Sequence, residues 1–292
     1  MTDTPSIRLL GVDTGGTFTD FVYFDGTGFR VHKVLSTPAA PEEAILRGIE
    51  EMGLSMDGLR VIHGSTVATN AVLEGKGVRT AYVANRGLKD VLTIGRQARR
   101  DIYDLQPPPV KPPVPQGLCL ETGGRLGADG AVVEPLTDDD LAALRDQLAA
   151  LAPDAVAINL LFSFIDDGFE RAVEAVVPEG MFVSRSSRVL PEYREYERGM
   201  ATWLNAYVGP LMQGYLARLE AGVAPARLKV MQSHGGTIDA AQAGANAVQL
   251  LLSGPAGGLM GARHVARESA CHRLLTFDMG GTSTDVSLCP GR

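Results

Sequence analysis

Cysteine is scarce. Cys119, Cys271 and Cys289 are the only three, and no two of them form a Cys-x-x-Cys pair. Neither a zinc knuckle nor a disulfide framework is indicated. Basic residues are in deficit too, with 27 Lys and Arg against 34 Asp and Glu and a net charge of −7. No basic stripe interrupts that balance, which argues against nucleic acid as a partner. No apolar run approaches a membrane span, and Met1 to Arg8 carries no apolar signal region. Together these absences lead to the expectation of a soluble, cytoplasmic protein with no membrane partner. Gly-x-Gly-x-x-Gly and Gly-x-x-x-x-Gly-Lys are also missing. A Rossmann, P-loop or kinase-type nucleotide site is therefore disfavoured.

Apolar residues are plentiful. They make up 45% of 292 residues, enough for a normal core and a length that suits two domains. Two copies of one short stretch stand out. Asp13-Thr14-Gly15-Gly16-Thr17-Phe18-Thr19-Asp20 and Asp278-Met279-Gly280-Gly281-Thr282-Ser283-Thr284-Asp285 share six identical positions and fit D-x-G-G-T-x-T-D. Each is flanked by apolar runs, so each reads as strand, tight glycine turn, strand. Paired glycines allow left-handed backbone angles and close approach of a ligand to the main chain. Their N–H groups and the Thr hydroxyls are suited to surround an anion. The Asp before each turn suits a hard cation, most simply Mg²⁺ through water, which bridges to phosphate. A single Gly-Gly turn is an ordinary hairpin; two matching copies point to a pair of phosphate grips.

The rest of the chain is read in order. Residues 7–35 suggest three antiparallel strands, with a second turn at Asp25-Gly26-Thr27-Gly28. Pro41 opens a helix that Gly53 closes, with Glu42 and Glu43 in its first turn. A short strand at Val61-Ile62 delivers His63 and Gly64 to a loop, and a helix capped by Ser65 or Thr66 follows. Read from residues alone, this unit is either a small-ligand site or a capped helix with a core histidine. Arg79 to Ala84 is a strand. The Arg residues at 86, 96, 99 and 100 form a solvated face or an anion site, and composition favours the former. Six prolines between residues 106 and 117 indicate a stiff extended connector.

Thr137 caps a helix over Asp138 to Leu151. Ala155 to Phe162 is a strand buried on both faces, Asp166 to Val177 a helix and Met181 to Ser184 a strand, an α/β alternation. The first lobe ends near Val189-Leu190-Pro191. Tyr193 to Ala221 is a long helix, broken or bent near Gly209-Pro210. Its stripe of Tyr193, Tyr196, Met200, Trp203, Leu204 and Tyr207 suits core or a subunit contact. Leu228 to Met231 is a strand. Ser253-Gly254-Pro255-Ala256-Gly257-Gly258 opens a further helix and is another anion-binding candidate.

The paired hairpins resemble the phosphate loops of the actin, sugar-kinase and heat-shock-chaperone ATPase superfamily. More specifically, the chain resembles the hydantoinase A/5-oxoprolinase family. The matching segments are GVDTGGTFTD, HKVLSTP, HGSTVATNAVLE, RGLKDVLTIGRQ, LPEYREYERG, LNAYVGP, MQSHGG, LLSGPAGG and FDMGGTSTDVSL, in that order along nearly the whole chain. The resemblance implies an α/β fold with a two-lobed, ribonuclease-H-like (actin-like ATPase) architecture. An N-terminal lobe would span residues 1–190 and the start of a second lobe 191–292, with ATP in the cleft. Family members continue beyond the second loop, so the second lobe is expected to be incomplete in this chain and turnover by it alone slight.

The family's shared logic is phosphoryl activation of a carbonyl or enol oxygen. The implied activity is ATP-dependent hydrolysis of a cyclic amide of hydantoin or 5-oxoproline type. The ATP-using subunit of an acetone- or acetophenone-type carboxylase and a non-catalytic nucleotide-binding module are the alternatives. By resemblance, Asp13, Gly15, Gly16, Thr17 and Thr19 form one phosphate loop, and Asp278, Gly280, Gly281, Thr282 and Ser283 the other. Asp13 and Asp278 would hold Mg²⁺. Asp20 and Asp285 have the alternative of securing their own hairpins. His63, Thr66 and Asn70 are expected where substrate meets phosphate, with Ser253 and Gly254 on the nucleotide side. Arg96 is a candidate for a substrate carboxylate or for the developing charge. A hydantoinase B-type partner chain and a homo-oligomer are expected as well.

Overall fold

A computed structural model describes residues 8–98, 102–106, 111–279 and 284–289. Two compact units result: one gathers the described parts of Met1–Lys76 and Leu211–Arg292, the other is Gly77–Pro210. The first unit is thus assembled from both ends of the chain, a division distinct from the sequence segments 1–190 and 191–292.

The first unit begins with three strands, β1 (Arg8–Thr14), β2 (Phe18–Phe24) and β3 (Phe29–Leu35), paired antiparallel in turn as expected. At the second turn the Asp25 carboxylate accepts from the amides of Thr27 and Gly28, and Gly26 has φ 100°. The glycine turn differs from expectation. Neither Gly15 nor Gly16 has a positive φ. The turn closes instead by a Gly15 N–H bond to the Phe18 carbonyl, and a Cβ on Gly16 would meet nothing within 4 Å. The second glycine therefore leaves open space rather than allowing an unusual backbone angle.

Helix α1 (Pro41–Glu51) buries Ala44, Ile45 and Ile49, and Gly48 lets it close against the Phe21 ring of β2. Strand β4 (Leu59–Ser65) pairs parallel with β1 along its whole length. It corrects the sequence reading, because His63 and Gly64 lie inside the strand, not in a loop after it. Helix α2 (Val67–Leu73) follows, with Thr66 at the N-cap but the Ser65 hydroxyl accepting the Val67 amide.

The second unit is a three-layer α/β assembly. In chain order it contains β5 (Thr80–Asn85), α3 (Val91–Ile94), β6 (Cys119–Thr122), a small hairpin of β7 (Arg125–Leu126) and β8 (Val132–Glu134), α4 (Asp138–Leu151), β9 (Ala155–Asn159), α5 (Gly168–Ala175), β10 (Phe182–Arg185), α6 (Ser186–Val189) and the start of α7 (Glu195–Val223). The order β10-β9-β5-β6 is all parallel. β5 and β9 are buried at every position, as a sheet covered on both faces requires. One face packs Val83, Val156 and Ile158 against Leu144 and Leu148 of α4. The other packs Tyr82 and Ala157 against Trp203 and Ala206 of α7. The aromatic stripe is thus core: Trp203 is buried and stacks on Tyr207 at 4.7 Å, while Tyr193 alone of the stripe stays well exposed.

The Thr137 cap is present as a full capping box with Asp140. β9 ends at Asn159, earlier than the apolar run suggested, because a turn begins there and Phe162 has φ 59°. Of the proline-rich stretch, residues 107–110 lie outside the described residues. Past them it is not a free connector, since Val114 is buried in the unit's core. Helix α7 is not broken at Pro210. The proline supplies no N–H to the ladder, yet the helix runs through it; one turn's width away, the Tyr207 carbonyl accepts the Val78 amide.

The chain then completes the first unit. Strand β11 (Arg227–Met231) adds parallel to β4, and β12 (Thr237–Asp239) pairs antiparallel with β11, extending the sheet to β12-β11-β4-β1-β2-β3. Helices α8 (Ala240–Ala245) and α9 (Ser253–Glu268) follow, then a hairpin of β13 (Leu274–Met279) and β14 (Thr284–Cys289). Among the described residues no helix is long and apolar enough to cross a membrane.

Candidate phosphate site

The site is built where β1 and β4 end and α9 begins. Asp13 is the register partner of Asp20 across β2 and of Gly64 across β4. Lys33 neutralises Asp20 at 2.9 Å across the next strand, so Asp20 secures its own hairpin. Among the described residues Asp13 has no such partner. Its carboxyl is held above the usual carboxylate range by loss of hydration, then by the charges of Asp278 and Asp20. It still has solvent-reachable surface, so the cause is crowding by protein on some sides rather than complete burial. Asp278 in turn faces Asp285 across the β13–β14 hairpin. The two aspartates singled out from the repeat thus act on each other. Gly280, Gly281, Thr282 and Ser283, which join these strands, lie outside the described residues.

The space beside Asp13 is kept open by two glycines. A Cβ on Gly64 would stand 3.5 Å from Asp13 Oδ1, and one on Gly254 would stand 3.8 Å from it and 3.5 Å from the Thr66 methyl. These are ordinary contact distances, so side chains there would fit the protein but fill the gap. Gly254 is in the first turn of α9, which has no side-chain cap and no acidic residue of its own. A helix start of that kind carries partial positive charge. Its position is set by two hydrogen bonds: Leu252 N–H donates to Thr69 Oγ1 at 3.0 Å, and Ser253 Oγ to the Ser65 carbonyl at 3.2 Å. Leu252 takes φ 61° to make the entry.

Thr66 ties the other side. Its amide and its hydroxyl both donate to the Thr14 carbonyl, at 3.2 and 3.1 Å, and Asn70 donates to that hydroxyl at 3.3 Å. Ser36, just past β3, binds the hairpin turn at three points: its amide donates to the Thr17 carbonyl, its hydroxyl to the Gly15 carbonyl, and it pairs with Thr19. Thr19 is therefore turned inward as a brace, while Gly16 and Thr17 stay exposed.

Asp13, Gly64, Thr66, Gly254 and Asp278 thus share one neighbourhood. His63 does not face it. Adjacent strand residues point to opposite faces, and His63 is fully buried on the face opposite Gly64, 2.6 Å from the Tyr215 hydroxyl. Burial drops its pKa to about 4, so it is neutral. Arg96 belongs to the other unit, where Glu197 grips its guanidinium at 2.7 and 2.5 Å. Arg86 is likewise bound to Glu134 and Asp140, and Arg99 and Arg100 lie outside the described residues. The reading of sequence missed Ser36, Thr69 and Tyr215. Ser36 sits within HKVLSTP, where a small hydroxyl at a strand end was the available signal.

Among the described residues no group of three or more His, Cys, Asp or Glu gathers as a metal cluster. A pair of carboxylates with free space beside it fits Mg²⁺, which keeps most of its water and shares phosphate oxygens. It does not fit a structural zinc site.

Comparison with known proteins places the chain among relatives of this kind. Residues 9–180 match the hydantoinase/oxoprolinase N-terminal region, and residues 198–291 match hydantoinase/oxoprolinase. The chain is 33% identical to caprolactamase subunit alpha of Pseudomonas jessenii, over 97% of this chain and 43% of that one. It is also 33% identical to 5-oxoprolinase of Saccharomyces cerevisiae, over 95% of this chain and 25% of that one. The nucleotide-free structure of acetone carboxylase, described for ATP-dependent acetone carboxylation, superposes with a TM-score of 0.87 at 27% identity. It is covered over 44% of its length by 98% of this chain. The chain therefore spans less than half the length of these relatives.

Proposed function

This chain belongs to the hydantoinase/oxoprolinase family, whose actin-like α/β fold it shares, and we propose that it forms the phosphate-gripping part of an ATP-dependent cyclic amidohydrolase. The observation that carries the proposal is the gap beside Asp13, bounded by Gly64 and Gly254 at the start of α9, where the charge of Asp278 is also felt. When bound, Mg-ATP supplies a phosphoryl group that activates the amide carbonyl oxygen toward water. Asp13 and Asp278 hold the cation through its water shell. Gly15, Gly16 and Thr17 present the exposed turn to the phosphates, and the uncapped start of α9 at Ser253 and Gly254 adds its partial positive charge. Thr66 and Asn70, linked to each other and to the Thr14 carbonyl, border the position where substrate would meet phosphate. Arg96 already uses its fork on Glu197, so the reading does not depend on it.

Catalysis of this kind rests on positioning and charge neutralisation rather than on a covalent protein intermediate. The relatives named as subunits support a partner chain, and the reading takes it to be of hydantoinase B type. A second reading, the ATP-using subunit of a ketone carboxylase, is favoured by the likeness to acetone carboxylase. In the full-length protein, 5-oxoproline, hydantoins or lactams should stimulate ATP hydrolysis. Bicarbonate-dependent consumption of a ketone without that stimulation would select the second reading.

A further inference from the structure

Behind the phosphate turn lies a buried polar layer that the proposed function does not use. The face of the β1–β4 sheet opposite Asp13 is apolar for most of its length, with Leu10, Val12, Val61 and Val230 all buried. At its carboxyl end it turns polar. Thr14, His63 and Ser65 are each no more than 2% exposed there. Helix α7 brings Tyr215 onto them, with its hydroxyl 2.6 Å from His63 Nε2 and the two rings edge to face at 5.7 Å. The Ser65 and Thr14 hydroxyls stand near enough to favour the phenolate, but burial opposes it more strongly, and the phenol stays protonated. The phenol hydroxyl can donate to Nε2 or accept from it, and with either tautomer of the neutral ring that nitrogen is paired. Nδ1 has no hydrogen-bond partner among the described residues.

We propose that Tyr215, acting through His63, is a positioning residue for the turn from Thr14 to Thr17. The turn is clamped at its edge by Ser36 and from α2 by Thr66, through the bonds to the Gly15, Thr17 and Thr14 carbonyls. From behind it is met by the Tyr215–His63 pair, anchored on a helix whose Arg218, one turn on, is ion-paired with Glu42 of α1. Without the phenol hydroxyl, His63 Nε2 is left unpaired in a dry site. The ring must then turn or admit water, and the ends of β1 and β4 lose their common brace. That this turn holds phosphate rests on the function proposed above; that Tyr215 holds the turn does not.

The test is amide hydrogen exchange on the ligand-free chain, comparing wild type, Tyr215→Phe and the Tyr215→Phe/His63→Leu pair. The reporters are the Gly15 amide, bonded to Phe18, and the Thr66 amide, bonded to Thr14. The β2–β3 ladder is the internal reference. In Tyr215→Phe, exchange at the two reporters should quicken about tenfold while the ladder is unchanged. The double variant removes both polar partners together, so its melting temperature should recover while the reporters stay fast. Unchanged reporters, a uniform acceleration of the ladder, or reporters slowed again in the double variant would each overturn the proposal. If the variants fail to fold, the nitrogen spectrum of wild-type His63 decides: a neutral ring with Nε2 hydrogen-bonded to the phenol is expected, and a ring whose Nε2 makes no such bond contradicts it. A wild type with the expected exchange pattern but no affinity for Mg-ATP would sink the phosphate reading and leave this one standing.

Discussion

His63 carries its cost in pH dependence. Its folded pKa of about 4 lies below the ordinary 6.5, so between those values the unfolded chain binds the extra proton. Stability therefore rises with pH across that window and is lost as pH falls from about 6.5 toward 4, by roughly 3 kcal/mol if no other group intervenes. Urea unfolding at a series of pH values should show this slope in wild type and a flatter one in His63→Leu. A single residue also separates fold from function at Gly254. An alanine there meets only ordinary contacts and replaces glycine in a helix, so stability should be kept or raised by up to about 1 kcal/mol. The same methyl fills the gap beside Asp13, so Mg-ATP affinity should fall. Thermal melts and nucleotide titration on one sample read the two opposite changes. At this scale the sequence displays the repeated aspartates, though it does not separate the ion-paired Asp20 from Asp13. It is not legible for Thr19 and His63, whose orientation depends on strand register.

At the scale of elements, Gly48 decides how closely α1 approaches the sheet. A Cβ there would overlap the Phe21 ring, which is itself buried under the helix. Gly48→Ala should therefore destabilise the chain by about 1–3 kcal/mol, through overpacking, despite the better helix propensity of alanine. Denaturant midpoints test the sign, since propensity alone would shift them upward. Elements with local signals are legible in the sequence. Thr137 and Asp140 announce α4 through their capping box, and Asp25 to Gly28 announces the β2–β3 turn. Elements governed by distant partners are not. The apolar run before His63 stops too early to show that β4 continues to Ser65, because it is β1 that carries the strand on. Pro210 reads as a helix breaker, yet α7 runs through it with Val208, Met212 and Leu216 buried on either side.

On the scale of the whole molecule, both copies of the repeated hairpin belong to one compact unit, built from the two ends of the chain. The intervening Gly77–Pro210 forms a separate α/β layer structure with its own two cores. Sequence alone displays the repeat but not this interleaving, since nothing local records which strands share a sheet. Asp13 and Asp278 stand near opposite ends of the chain, yet in the fold the charge of Asp278 helps to raise the proton affinity of Asp13. Two anionic groups brought together without a cation repel, and a bound divalent ion relieves that repulsion. The proposed phosphate site depends on this pairing. The most direct measurement is calorimetric titration of the chain with Mg-ATP for wild type, Asp13→Ala, Asp278→Ala and, as a folded reference, Thr137→Ala. Binding should weaken in both aspartate variants and persist in the reference. Affinity unchanged by either aspartate substitution in a folded chain would contradict the pairing.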